Sequence, residues 1–280
     1  MKLVTFDDGG RARAGLVHNE QVFAAAALVP GAPELMCDLI ADWARWQGPL
    51  AAALKGAKGG ASLNGVRLHA PVPRPGKVMA IGLNYADHIA ESGQKTPEHQ
   101  VWFCKQPTSV TGPFDPIELP KASTVVDYEA EMIAVIGKTC RHVSKADAAS
   151  VIFGYACGDD VTARDWQFKT PQWMLGKSFD THAPWGPWIT TADEAGDPHA
   201  LGIRCFVNGE KRQDSNTRHL VFNVFDQIAE LSQAMTLEPG DIIFTGTPGG
   251  VGIAMKPPKL LQAGDVVRVP EALAAEWAAA

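Results

Sequence analysis

Apolar residues in this chain come mostly in short runs separated by Gly, Pro, Asn and Asp. That is a strand-and-turn rhythm, with helical spacing confined to a few stretches. Residues 1–27 read as three strands, with Asp7–Gly10 as the first turn and Val17–Phe23 as a second hairpin. Leu35, Leu39, Trp43 and Trp46 sit at helical spacing and predict a helix over 34–46. Residues 55–63 read as a loop or linker. The stiff Pro71–Pro75 segment cannot join a central strand and marks a boundary between a small N-terminal domain, 1–70, and a larger one, 71–280. In the larger domain the pattern predicts strands at 77–81, 101–105, 151–157, 203–207 and 242–245, with another over 262–269. Ser144–Asp147 resembles a capping box and predicts a helix over 144–152. Val224, Phe225, Ile228, Leu231 and Met235 form one apolar face, so 222–235 is the clearest helix. The Ala-rich end, Glu271 to Ala280, is compatible with a frayed helix.

One stretch breaks the apolar pattern with charge. Thr124–Lys138 reads as a strand closed by Gly137, and alternation puts Glu129, Glu131, Ile133 and Val135 on one face. Two carboxylates roughly 6–7 Å apart along the backbone then lead into a core. Burying like charges is costly unless something positive neutralises them, and a hard divalent cation does so directly. The other reading is a wet strand start with both Glu in water. The next buried strand, 151–157, runs into Asp159 and Asp160, which alone would suggest a turn. Two acidic clusters on consecutive buried strands fit a carboxylate metal site, and Mg²⁺ is a natural occupant.

Residues 85–92 predict a short helix with Asn84 as cap and Gly93 as stop. His88 and Glu91 are then i, i+3 neighbours, a spacing that suits a carboxylate orienting a general base and equally an ordinary surface pair. Lys177 lies among apolar neighbours, so it either meets an anion or snorkels to water. Gly246–Gly252 matches neither dinucleotide nor P-loop spacing; with Thr247 it can present N–H and O–H donors, or be only a tight turn.

Composition narrows the function class. The 280 residues are 46% hydrophobic, enough for a full core, and the formal charge is −6 with no basic stripe, against nucleic acid as the main partner. No apolar run reaches membrane-spanning length and no signal peptide is visible, which points to the cytoplasm. The five cysteines, Cys37, Cys104, Cys140, Cys157 and Cys205, are isolated, as suits free thiols in a reducing compartment.

Gly82–His88, Asp127–Glu131 with its apolar tail to Lys138, Asp160–Asp165, Gly176–Phe179 and Thr245–Gly252 together, in this order, resemble the fumarylacetoacetate hydrolase family, in its acylpyruvase-like bacterial branch. The resemblance covers about 70 to 265. It implies a β-rich α+β fold, a mixed β-sandwich roll with a small N-terminal α/β domain, and a homodimer. It implies that Glu129, Glu131 and Asp160 hold Mg²⁺, with Mn²⁺ or Ca²⁺ as alternatives. His88 and Glu91 match the family's catalytic pair on a mobile lid and Lys177 its catalytic lysine, while Arg164, Gln167 and Thr247 match substrate contacts. The implied activity is metal-dependent hydrolysis of a C–C bond in a 1,3-diketo acid, such as an acylpyruvate or a fumarylacetoacetate-like acid, yielding a carboxylic acid and a 2-keto acid. The same site could isomerise or decarboxylate 2-hydroxy-dienoates, decarboxylate oxaloacetate, or only bind a keto acid without turnover. Trp102, Trp166, Phe168 and Trp173 are expected around the distal part of the substrate. The chain departs from the family pattern at Arg268–Leu273, which puts the last strand in question.

Overall fold

The computed structural model describes residues 1–270, so the Ala-rich end from Glu271 lies outside the described residues. A twelve-stranded sheet dominates them. Its main path runs Ala61–Ser62, Gln21–Ala24, Ala12–His18, Lys2–Asp7, Ala183–Thr191, Ile152–Asp159, Ala130–Ile136, Ile242–Phe244, Val78–Gly82 and Val101–Lys105. Neighbours on this path are antiparallel except Ile242–Phe244 and Val78–Gly82, which run parallel. The sheet-rich α+β class that the resemblance implies is what forms.

The first hairpins follow the sequence closely. Asn19 and Glu20 take φ of +49° and +59° between the paired His18 and Gln21, as a two-residue type I′ turn demands. Lys2 and Leu3 also pair with Thr190 and Ile189, so residues 1–70 join the rest of the chain through the sheet itself.

The strand Ala130–Ile136 lies mid-sheet and is buried along its whole length. Ile133 and Val135 enter the core that holds Leu3, Trp185 and Ile189. Met132, Ala134 and Ile136 enter the core under the helix Val224–Ala234, with Ile228 and Leu231. Each fully buried Ile or Val side chain among them contributes about 1.5–3 kcal/mol, which fixes the strand's position and register. The helix starts with a full capping box between Asn223 and Asp226.

Several local expectations fail for identifiable reasons. The helix over 34–46 is two helices, Met36–Ala41 and Trp43–Leu54, broken at Asp42. Leu35 stays 61% exposed outside the first one. Ser144 and Asp147 do hydrogen-bond, at 2.6 Å, but only a 3₁₀ turn, Ala148–Val151, follows. The next strand begins at Ile152 and leaves too few residues to propagate a helix. Ala61–Ser62, inside the expected loop, adds an edge strand. Where the unusual C-terminal stretch begins, Val267 and Arg268 still pair with Val207 and Phe206, and its part from Glu271 lies outside the described residues. They complete a three-stranded sheet with Gly202–Val207 and Glu210–Asn216.

Candidate active site

Strand register assembles the acids. Ala130 pairs with Asp159 and Glu131 with Gly158, and one step further the Asp160 N–H donates to the Glu129 carbonyl at 2.8 Å. Glu129, Glu131 and Asp160 are all buried and offer carboxylate oxygens within 4.8 Å of one another.

Three buried cations surround this cluster. Lys177 Nζ lies 2.7 Å from both Glu129 and Asp160. Lys105 Nζ lies 2.5 Å from the other Asp160 oxygen. Arg164 reaches Glu129 at 2.6 Å and Asp127 at 2.8 Å, and donates to Gln167 at 3.0 Å. Burial opposes the ionisation of Glu129, but the charges of Lys177 and Arg164 prevail and hold it at about 2. Burial also opposes the charge of Lys177, yet Asp160 and Glu129 raise it above the ordinary lysine value. Lys105 is pushed down by burial. Glu131 differs from the other two acids. Burial and the neighbouring charges of Asp160 and Glu129 push it well above the usual carboxylate range. Among the described residues it makes no ion pair, and the Gly246 N–H donates to it at 2.7 Å.

The helix Ala86–Ser92 closes over the cluster. His88 Nδ1 is 3.4 Å from Glu91, whose carboxylate accepts the Gly250 N–H at 2.9 and 3.0 Å. Asp87 adds bonds to Gly249 N–H at 3.3 Å and to the Ser215 hydroxyl at 2.7 Å. Gly246 and Gly250, with φ of +105° and +102°, adopt a conformation that side chains resist, and this aims their N–H groups at Glu131 and Glu91. Thr247 Oγ1 donates to the Ala130 carbonyl at 3.0 Å and accepts from Gln213 at 2.8 Å. Asn84 does not cap the helix. Its side chain donates to the carbonyls of Phe222 and Thr245 and accepts the Phe222 N–H, latching three segments together.

Eight of the nine residues singled out from sequence line one cavity of about 310 Å³, and Asp160 lies fully buried against it. Phe168 and Trp173 also line it. Trp102 packs instead with the core beneath the helix Val224–Ala234, and Trp166 donates to the Ala122 carbonyl at 3.1 Å. Sequence reasoning missed Lys105 and Asp127. Lys105 had a usable signal, since it ends the apolar run Val101–Cys104 much as Lys177 interrupts another. Asp127 is fully buried and anchors Arg164 together with the N–H groups of Gly252 and Ile253.

The donor set fits a hard divalent cation. All three candidate ligands supply oxygen, and Glu131 is the acid left without a cation.

Residues 77–272 match the family described as fumarylacetoacetate (FAA) hydrolase, C-terminal. The chain belongs to the fumarylacetoacetate hydrolase family. Its fold resembles that of maleylpyruvate hydrolase from Sphingobium sp. SYK-6, solved with manganese(II) and pyruvate (TM-score 0.81, 36% identity, 98% of this chain and 96% of that one). It also resembles a fumarylacetoacetate hydrolase from Exiguobacterium antarcticum (TM-score 0.81, 38% identity, 97% and 95%). In sequence it is 50% identical over 200 residues to the mitochondrial oxaloacetate tautomerase Fahd2a of Rattus norvegicus, covering 71% of this chain and 64% of that protein. It is 48% identical over 209 residues to the Xenopus laevis enzyme, covering 74% and 66%. The matches therefore span only about two thirds of these two relatives. Hydrolase, tautomerase and isomerase activities all occur among the similar proteins, so the family framework is that of an enzyme.

Proposed function

We propose that this family member is a metal-dependent enzyme that hydrolyses a C–C bond in an acylpyruvate-like 1,3-diketo acid. The observation that carries the reading is the His88–Glu91 pair closed over three buried acids in one cavity. Glu129, Glu131 and Asp160 would hold Mg²⁺, with Mn²⁺ as the alternative that the Sphingobium neighbour favours. A bound divalent ion supplies Lewis acidity at a keto or enolate oxygen. Glu91 holds His88 Nδ1, so Nε2 takes the proton from a water that attacks the distal carbonyl. Lys177 orients the keto-acid end, with Thr247, Arg164 and Gln167 beside it in the lining. The helix carrying His88 excludes bulk water while it is latched to Gly250. The products are a carboxylic acid and a 2-keto acid.

A second reading is favoured by the relatives that are 48–50% identical: tautomerisation of oxaloacetate, in which His88 moves a proton at carbon 3 and no C–C bond breaks. One experiment separates them. Purified protein with Mg²⁺ is given acetylpyruvate and, separately, enol-oxaloacetate. Pyruvate release from the first supports hydrolysis. Rapid decay of the enol without pyruvate release, together with no attack on acetylpyruvate, replaces it with the second reading.

We also propose a homodimer. Phe114, Leu119 and Val266, 75%, 41% and 66% exposed, line a separate cleft that a second copy would cover. Light scattering on the purified chain tests this. Among the described residues no helix is long and apolar enough to cross a membrane, and we place the protein in the cytoplasm.

A further inference from the structure

The cavity above the acids has one wall that the proposed chemistry leaves unused. Trp173 precedes the single helical turn Met174–Lys177, so Trp173 and Lys177 stand four positions apart on one side of it. The Phe103 ring links them, with its centroid 5.7 Å from the Trp173 ring and 4.9 Å from Lys177 Nζ. The turn has no room to slide, because a Cβ on Gly176 would lie 2.3 Å from the Gln167 nitrogen. On the cavity floor the indole lies over Gly82, where a Cβ would come within 2.1 Å of its six-membered ring. Trp173 is thus fixed relative to Lys177, and through Lys177 relative to Glu129 and Asp160. Leu83, Phe168, Ile253 and Ala254 continue the apolar lining. The arginine and the lysine in the lining, Arg164 and Lys177, are already paired with carboxylates at 2.6–2.8 Å.

We propose that Trp173, seated on Gly82, is the specificity-determining wall for the distal group of the substrate, and that it selects 2-keto acids whose distal group is short and uncharged. This rests on the acylpyruvate reading of the site and not on the oxaloacetate one, whose substrate carries a second carboxylate. A long chain meets the indole, and once the keto-acid carboxylate has taken the one N–H that Lys177 leaves over, a second carboxylate finds no uncommitted lysine or arginine in the lining. Replacing Gly82 by any larger residue must displace the indole, and with it the wall.

The test is calorimetric binding to the Mn²⁺-loaded protein of pyruvate, 2-oxobutanoate, 2-oxohexanoate and 2-oxoglutarate. Turnover is not needed. In the wild type, affinity for 2-oxohexanoate and for 2-oxoglutarate is expected to fall at least about tenfold below that for 2-oxobutanoate. Trp173→Ala should restore 2-oxohexanoate by about tenfold while leaving pyruvate within about threefold. Trp173→Phe, which keeps an aromatic ring, should fall between the two. Gly82→Ala should shift the longer acids more than pyruvate. If Trp173→Ala shifts every acid by the same factor, or if 2-oxoglutarate binds more tightly than 2-oxobutanoate, the wall assignment is wrong. If no keto acid binds, pyruvate included, the keto-acid reading falls and takes the wall with it. Equal binding of all four overturns the wall alone.

Discussion

Replacing Asp127 with Asn preserves the shape of the side chain and removes its charge. The wild-type carboxylate is fully buried and uses both oxygens. One accepts the N–H groups of Gly252 and Tyr128 at 2.8 and 3.0 Å. The other accepts Ile253 N–H at 3.0 Å and Arg164 Nε at 2.9 Å. An amide has a single acceptor oxygen, so whichever way it turns, its NH₂ faces donors. Removing one member of a buried ion pair costs about 3–5 kcal/mol. Arg164 keeps Glu129 at 2.6 Å, which places the expected loss near the lower end, about 3 kcal/mol. For a chain of this size that corresponds to a fall in Tm of about 6–12 °C. The measurement is guanidinium and thermal unfolding of the metal-free protein at neutral pH, followed by circular dichroism. Asp42→Asn, at an exposed residue, serves as the control and should stay within about 0.5 kcal/mol of wild type. A loss for Asp127→Asn no larger than the control's would refute the anchoring argument.

Glu131→Gln should lower Mg²⁺ or Mn²⁺ affinity by at least about 100-fold in calorimetry, since it removes the candidate ligand with no competing cation; unchanged affinity sinks the ligand assignment. His88→Ala should reduce turnover about 10²–10⁴-fold with metal affinity intact, and near-wild-type turnover would remove His88 from the chemistry. His182 is fully buried, and burial together with nearby Lys105 depresses it from 6.5 to about 4. The unfolded chain therefore binds the extra proton first. The stability from this group is present above pH 6.5 and is lost as pH falls toward 4, by about 2 kcal/mol between pH 7 and pH 5. Guanidinium midpoints at the two pH values should show that difference shrinking in His182→Gln, and an identical pH dependence in the variant would disprove the assignment.

The acids were open to sequence reasoning because the runs that carry them are unambiguous. Glu129 stands just ahead of the buried strand Ala130–Ile136, where a wet strand start is the other reading, and it is Asp160 at the end of the neighbouring run that favours a shared site. The cations were harder. Lysine after Val101–Cys104 looks like any strand end, and only the approach of Lys105 to Asp160 from 55 residues away distinguishes it. Asp127 has the same parity as Glu129 and Glu131, so alternation alone offers a third ligand. A separate short pairing, Thr162 with Asp127, precedes the main register and turns this carboxylate toward Arg164 instead. Asn84 has the residue type and position of a helix cap, but tertiary partners at Phe222 and Thr245 capture its side chain. In each case the local signal was real, and a contact distant in sequence decided its use.

The glycine-rich turn explains why the lid and the acids belong to one device. Gly246 donates to Glu131, Gly250 donates to Glu91, and Gly252 with Ile253 is held by Asp127. One segment of eight residues, 246–253, therefore touches a candidate metal ligand, the carboxylate that orients His88, and the anchor of Arg164. The sheet fixes the acids through its register, whereas His88 sits on a helix of seven residues. Besides the buried Ile89, that helix is held over the acids by Asp87 and Glu91, which accept hydrogen bonds from this turn and from Ser215. Such contacts can open without disturbing the core. Positioning of the base is thus coupled to the turn, and the turn to Asp127. Damage at Asp127 should reach His88 through 246–253, so the effects of Asp127→Asn and His88→Ala on turnover should be less than additive, as for residues acting through one structural unit.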